Sequence, residues 1–108
     1  AFGTAGRVAE TAVKTLRAEG VPVGLHRPIT LWPFPEKRLQ ELADRVKAFL
    51  VVEMNAGQML HDVREAVGRE VPVEFLGRMG GLIPFPTEVE AEVHALWRRT
   101  EVLEMHQP

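Results

Sequence analysis

Apolar residues recur at Val8, Ala9, Ala12, Val13 and Leu16, the spacing of one face of a helix. Thr4 stands where an N-cap belongs and Gly20 where a helix stops. Ahead of that helix, Ala1-Phe2-Gly3 reads as the last residues of a strand. Val21 to His26 reads as a short strand with Pro22 at its start, where the missing N–H is harmless. A proline-rich connection follows, from Arg27 to Pro35, with Leu31, Trp32 and Phe34 among the prolines. Pro35 suits the start of a helix whose stripe is Leu39, Leu42, Ala43 and Val46.

The continuous apolar run from Ala48 to Glu53 predicts a strand buried on both faces. Met59, Leu60, Val63, Ala66 and Val67 form the next helical stripe, and Gly68 ends it. Val71 to Leu76 is the next strand. A second glycine- and proline-rich loop runs from Gly77 to Pro86, and Thr87 is placed to cap a last helix with Val89, Val93, Leu96 and Trp97 inward. The tail after Thr100 alternates weakly and reads as frayed. This alternation of strands and helices predicts a three-layer α/β/α fold with a mainly parallel sheet. The expected central strand order is 2-1-3-4, counting Ala1-Phe2-Gly3 as strand 1.

Composition narrows the function. The chain has 108 residues, enough for one domain, and residues 1–108 are read as a single unit cut from a longer subunit. A net charge of -2 gives no basic face for nucleic acid. No apolar run reaches the length of a membrane span, and no signal peptide is evident. A cytoplasmic location is therefore expected. The chain contains no cysteine, so it offers no thiolate to zinc or to an iron–sulfur cluster. It contains no serine either, so neither of the two commonest nucleophiles is present.

Parallel strands deliver their carboxyl ends to one edge, and ligands or partners are met there. Here that edge collects Gly3-Thr4, His26-Arg27, Glu53-Asn55-Gln58 and Arg78-Gly80-Gly81. A glutamate ending a buried strand needs a partner, and for Glu53 a structural ion pair with Arg27 or Arg78, or a hydrogen-bond cluster, is expected. The glycines of Gly77-Arg78-Met79-Gly80-Gly81 lack the spacing of a dinucleotide fingerprint and are read as a turn requiring positive φ. His26, His61, His94 and His106 lack metal-ligand spacing. The residues themselves leave two readings open: an assembly domain, or a small binding module for an anionic ligand at the Arg27/Arg78 edge.

Four segments carry a resemblance: Ala1-Phe2-Gly3-Thr4; Gly24 through Pro35, with its R-P-I-T-L-W-P-F-P run; Val52-Glu53-Met54-Asn55-Ala56-Gly57-Gln58-Met59; and Gly77 to Gly81. Together the chain resembles the C-terminal domain of the alpha subunit of 2-oxoacid:ferredoxin oxidoreductases. Met79 stands where that family often carries proline. The resemblance implies a domain similar to the C-terminal domain of transketolase. It implies a parent enzyme that oxidatively decarboxylates a 2-oxoacid, such as pyruvate or 2-oxoglutarate, to acyl-CoA. Thiamine diphosphate, coenzyme A and iron–sulfur clusters would belong to the parent complex, with none held by this domain. The implied partners are other domains of the same subunit, a beta subunit and, for the whole complex, ferredoxin. In that setting no residue here is catalytic, and Arg27, Trp32, Phe34, Glu53, Asn55, Gln58, Arg78, Gly80 and Gly81 are candidates for an interface.

Overall fold

The structure is a computed structural model that describes residues 1, 3–27, 35–53, 58–77 and 84–106, with the backbone alone at 58 and 101–106. Its elements are α1 (Thr4–Ala18), α2 (Glu36–Ala43), β1 (Phe49–Glu53), α3 (Gln58–Val67), β2 (Val73–Gly77) and α4 (Pro86–His106). The strands β1 and β2 pair in parallel, with Phe49 opposite Val73 and Glu53 opposite Gly77.

Side chains alternate across β1, and the two faces bury against different helices. Val51 packs with Leu39 of α2, Met59 and Val63 of α3 and Val73 of β2. On the opposite face, Val52 packs with Ala5 and Ala12 of α1 and Val89 of α4. The sheet therefore lies between two helical layers, and β1 contributes to both cores.

The helix stops are where the glycines are. Gly20 and Gly68 take φ of 91° and 80°, a left-handed backbone that a side chain resists. The beginnings differ from expectation. Gly3, not Thr4, occupies the N-cap of α1, with φ 63°, and no side chain caps that end. At α4 the helix starts at Pro86, one residue before Thr87. There Glu88 reaches back, and its Oε1 accepts the Phe85 N–H at 3.1 Å, the second half of a capping box.

Other expectations are corrected as well. Val21–His26 forms no ladder with a described neighbour. Its backbone instead closes locally, Val21 N–H donating to Leu16 and Val23 N–H to Val21. The helix α2 ends at Ala43, so the predicted stripe loses its last member and Val46 is exposed. The tail is not frayed: α4 continues to His106, through residues with good helix propensity and no glycine or proline. Gly77 ends β2 without a positive φ; it is glycine because the Phe75 ring occupies the place of a Cβ. Of the order 2-1-3-4, the parallel neighbours 3 and 4 are β1 and β2.

Open space surrounds the Cβ position of Gly68, so only backbone strain opposes a side chain there. Gly68→Ala is expected to cost about 1–2 kcal/mol, read as a lower urea midpoint at unchanged slope.

Candidate functional site

The strand β1 runs its apolar residues into Glu53, which is only 7% exposed. A buried carboxylate needs its oxygens satisfied. Glu53 Oε1 accepts the Met59 N–H at 3.2 Å, and Oε2 accepts the Leu60 N–H at 3.0 Å. Since α3 begins at Gln58, these are the second and third amides of the helix, the pair that an N-cap side chain ordinarily satisfies. The negative charge also lies at the positive end of the helix dipole. Glu53 is thus a helix cap supplied from the end of a neighbouring strand.

The expected pairing of Glu53 with Arg27 is not formed. Arg27 lies over α1, where its Nη1 donates to Glu10 Oε2 at 3.2 Å. Its side chain covers Gly6, leaving no room for a Cβ there. The Arg27–Glu10 pair is exposed on both sides, so it contributes little to stability. The α3 amides return to Glu53 within seven residues, and each carboxylate oxygen accepts one of them.

His26 stands on the same side of the domain, and its carbonyl accepts the Ala1 N–H at 3.1 Å. Its Nε2 is buried without a hydrogen-bond partner among the described residues. Burial, then the positive charge of Arg38, holds the imidazole below its ordinary value. Gln58 opens α3. Trp32, Phe34, Asn55, Arg78, Gly80 and Gly81 lie outside the described residues.

The arrangement brings Glu53, the α3 N-terminus, His26 and the start of α1 to one end of the domain. An open helix N-terminus would suit a phosphate or carboxylate. At α3 that capacity is taken by the chain's own glutamate. Among the described residues, no group of three His, Asp or Glu side chains is placed to hold a metal ion. With no cysteine in the sequence, thiolate ligation of a cluster by these 108 residues does not fit. No described helix is long and apolar enough to cross a membrane.

Comparison with known proteins follows the same line. The profile of the family described as pyruvate:ferredoxin oxidoreductase core domain II matches residues 1–89. A ketoisovalerate oxidoreductase subunit VorB from Methanothermobacter thermautotrophicus is 56% identical over 81 residues, 75% of this chain and 23% of that protein. A 2-oxoglutarate synthase subunit KorA from Methanothermobacter marburgensis is 42% identical over 88 residues, 82% of this chain and 24% of that protein. Another KorA, from Methanocaldococcus jannaschii, is 35% identical over 92 residues, 85% of this chain and 25% of that protein. The chain thus spans about a quarter of the length of the curated relatives it matches. No solved structure matches significantly.

Two outcomes are expected. Glu53→Ala leaves two helix amides without their acceptor and is expected to cost about 2–3 kcal/mol in urea unfolding, with Glu53→Gln losing roughly half as much. Amide exchange at Met59 and Leu60 should rise in the same order. For His26, the folded state favours the neutral ring, so its contribution is full above the ordinary value of 6.5 and is lost as pH falls below it. An NMR titration should place the His26 midpoint below 6.5, and His26→Gln should reduce the loss of stability between neutral and mildly acid pH.

Proposed function

The chain belongs to the family of pyruvate:ferredoxin oxidoreductase core domain II, and from that premise we propose that it is the assembly domain of an alpha subunit in a 2-oxoacid:ferredoxin oxidoreductase. The observation that carries this reading is Glu53. The one buried carboxylate at the functional edge spends both oxygens on the first amides of α3. It shapes a corner; it is not a free acid or base awaiting a substrate.

In this reading, residues 1–108 are one domain of a subunit, as their share of the curated relatives supports. The parent complex uses thiamine diphosphate to decarboxylate a 2-oxoacid and coenzyme A to accept the acyl group. Iron–sulfur clusters carry the electrons to ferredoxin. Those groups are held by other domains and by a beta subunit, and the complex works in the cytoplasm. The names of the relatives include both ketoisovalerate and 2-oxoglutarate, so the reading extends to the class of 2-oxoacids and no further. The binding-module alternative loses ground because Arg27 is paired with Glu10.

The central order 2-1-3-4 belongs to the same proposal. Its support is that Ala1 hydrogen-bonds to His26 and packs against the core cluster that includes Val52. Asn55, Gln58, Arg78, Gly80 and Gly81 are assigned to the corner and loop that meet the neighbouring domains, and Trp32 and Phe34 to the apolar anchor of that contact.

The test is made in the intact complex. Trp32→Ala together with Phe34→Ala is expected to reduce recovery of the beta subunit with a tagged alpha subunit by about tenfold or more. Turnover per assembled complex should stay unchanged. Full assembly with lost turnover would instead assign these residues to the chemistry and overturn the assembly reading.

A further inference from the structure

Phenylalanine is ordinarily inside a fold and proline ordinarily outside. At the entrance to α4 the two are exchanged. Pro84 is fully buried, and Phe85 beside it is 67% exposed. Phe85 is nevertheless not on a loose tip. Its N–H donates to Glu88 Oε1 at 3.1 Å, and its carbonyl accepts the Glu88 N–H at 3.0 Å and the Val89 N–H at 3.3 Å. Pro86 follows at the first position of the helix, where its ring fixes φ. The backbone of Phe85 is held from both sides while its ring is left in water.

Its place in the fold is the carboxyl edge of the sheet. Val89, one turn into α4, belongs to the cluster with Ala5 and Val52 against which Leu76 packs, so α4 starts where β1 and β2 end. The ring therefore stands on the same edge as the Glu53 corner. Its surroundings are acidic. Residues 86–92 carry Glu88, Glu90 and Glu92 and no lysine or arginine. Helix spacing puts Glu88 and Glu92 on the flank of Phe85. The capping box and the helix dipole account for Glu88 in the first turn, but the pull of the dipole fades beyond that turn. Glu92 lies in the second turn, is partly exposed and makes no ion pair with a described residue.

A single exposed apolar side chain is common, and exposure alone assigns nothing. The combination at Phe85 says more. A ring whose backbone is already ordered loses little entropy when it docks. Buried aromatic side chains are the usual anchors of protein interfaces. A carboxylate without a cation, on the flank of such a ring, selects a surface of opposite charge. An anionic small molecule is disfavoured as the occupant, since its charge would face Glu88 and Glu92.

We propose that Phe85 is an interface anchor, seated in an apolar pocket of the beta subunit that is bordered by arginine or lysine, with Glu92 meeting one of those cations. The proposal rests on the assembly reading above and adds to it an anchoring residue and the chemistry of the surface it meets.

The test is made in the assembled complex, with Phe85 replaced by the photoreactive p-benzoylphenylalanine in the full-length subunit. Irradiation is expected to join this subunit to the beta subunit, at a peptide that holds apolar residues beside an arginine or lysine. A cross-link within the same subunit, or to a second copy of it, overturns the proposal, and so does the absence of any cross-link. Phe85→Ala is expected to reduce recovery of the beta subunit about tenfold or more. The urea midpoint of the free subunit should stay unchanged, because the ring is exposed there. Glu92→Lys should reduce recovery as well, and more than Glu92→Gln at low salt, with the difference shrinking as salt is raised. Recovery by Glu92→Lys at the unaltered level overturns the charged border. The two readings separate cleanly. If Phe85→Ala assembles normally while the Trp32→Ala and Phe34→Ala double variant does not, the anchor is rejected and the assembly reading stands. If neither variant loses the beta subunit, both fall.

Discussion

Two hydrogen bonds from the first turn of α3 to one buried carboxylate set the geometry on which the rest depends. Glu53 closes β1 and at the same time begins α3. A strand end and a helix start are each left with polar groups that the adjoining loop must satisfy. Here one side chain serves both, and its position fixes where α3 leaves the sheet. That placement brings Met59 and Val63 onto Val51 and so builds the core on that face. The opposite face is organised by the same strand through Val52 against α1 and α4. A disturbance at the end of β1 is therefore felt in both layers.

The charge at that corner has a second consequence. A helix N-terminus near the carboxyl edge of a parallel sheet is the usual place for an anionic group of a ligand. At α3 the site is internally occupied, and a ligand would have to displace a buried carboxylate from two amides. The competing ion would gain little that Glu53 does not already supply, and the expelled charge would be left in a buried environment. The physical chemistry thus favours a structural corner over a binding corner, which is why kinship with an oxidoreductase subunit does not by itself make this edge a seat for the cofactor.

Much of this was legible in the residues and part was not. The stripes of α1 and α3 carried their helices, and Gly20 and Gly68 carried their ends, because apolar period and positive φ are local properties. The parallel pairing of β1 with β2 follows from the helix between them. Glu53 reads from the sequence as a buried charge held in an ion pair or a hydrogen-bond cluster; the structure shows hydrogen bonds from helix amides, and Arg27 pairs elsewhere. The local signal for those amides is the short polar corner itself, which brings a helix start within six or seven residues of the strand end. At α4 the sequence offers Thr87 as the capping residue, but the helix starts one residue earlier, at Pro86. The cap there comes instead from Glu88 reaching back past Pro86. Val21–His26 illustrates the opposite failure. Its composition suits a strand, yet a strand exists only with a neighbour, and composition says nothing about whether the neighbour is present.

That last point bears on how β1 is held. Parallel sheets are buried structures, and two parallel strands give their inner member one satisfied edge at most. β1 is sealed above and below by apolar side chains and bonded to β2 on one side. Its other edge carries the amides of Leu50 and Val52, immediately before the residue that caps α3. Pairing on that edge would restrain the strand that positions Glu53, and hence the exit of α3, without touching either. The geometry of the corner and the completeness of the sheet are in this sense one property.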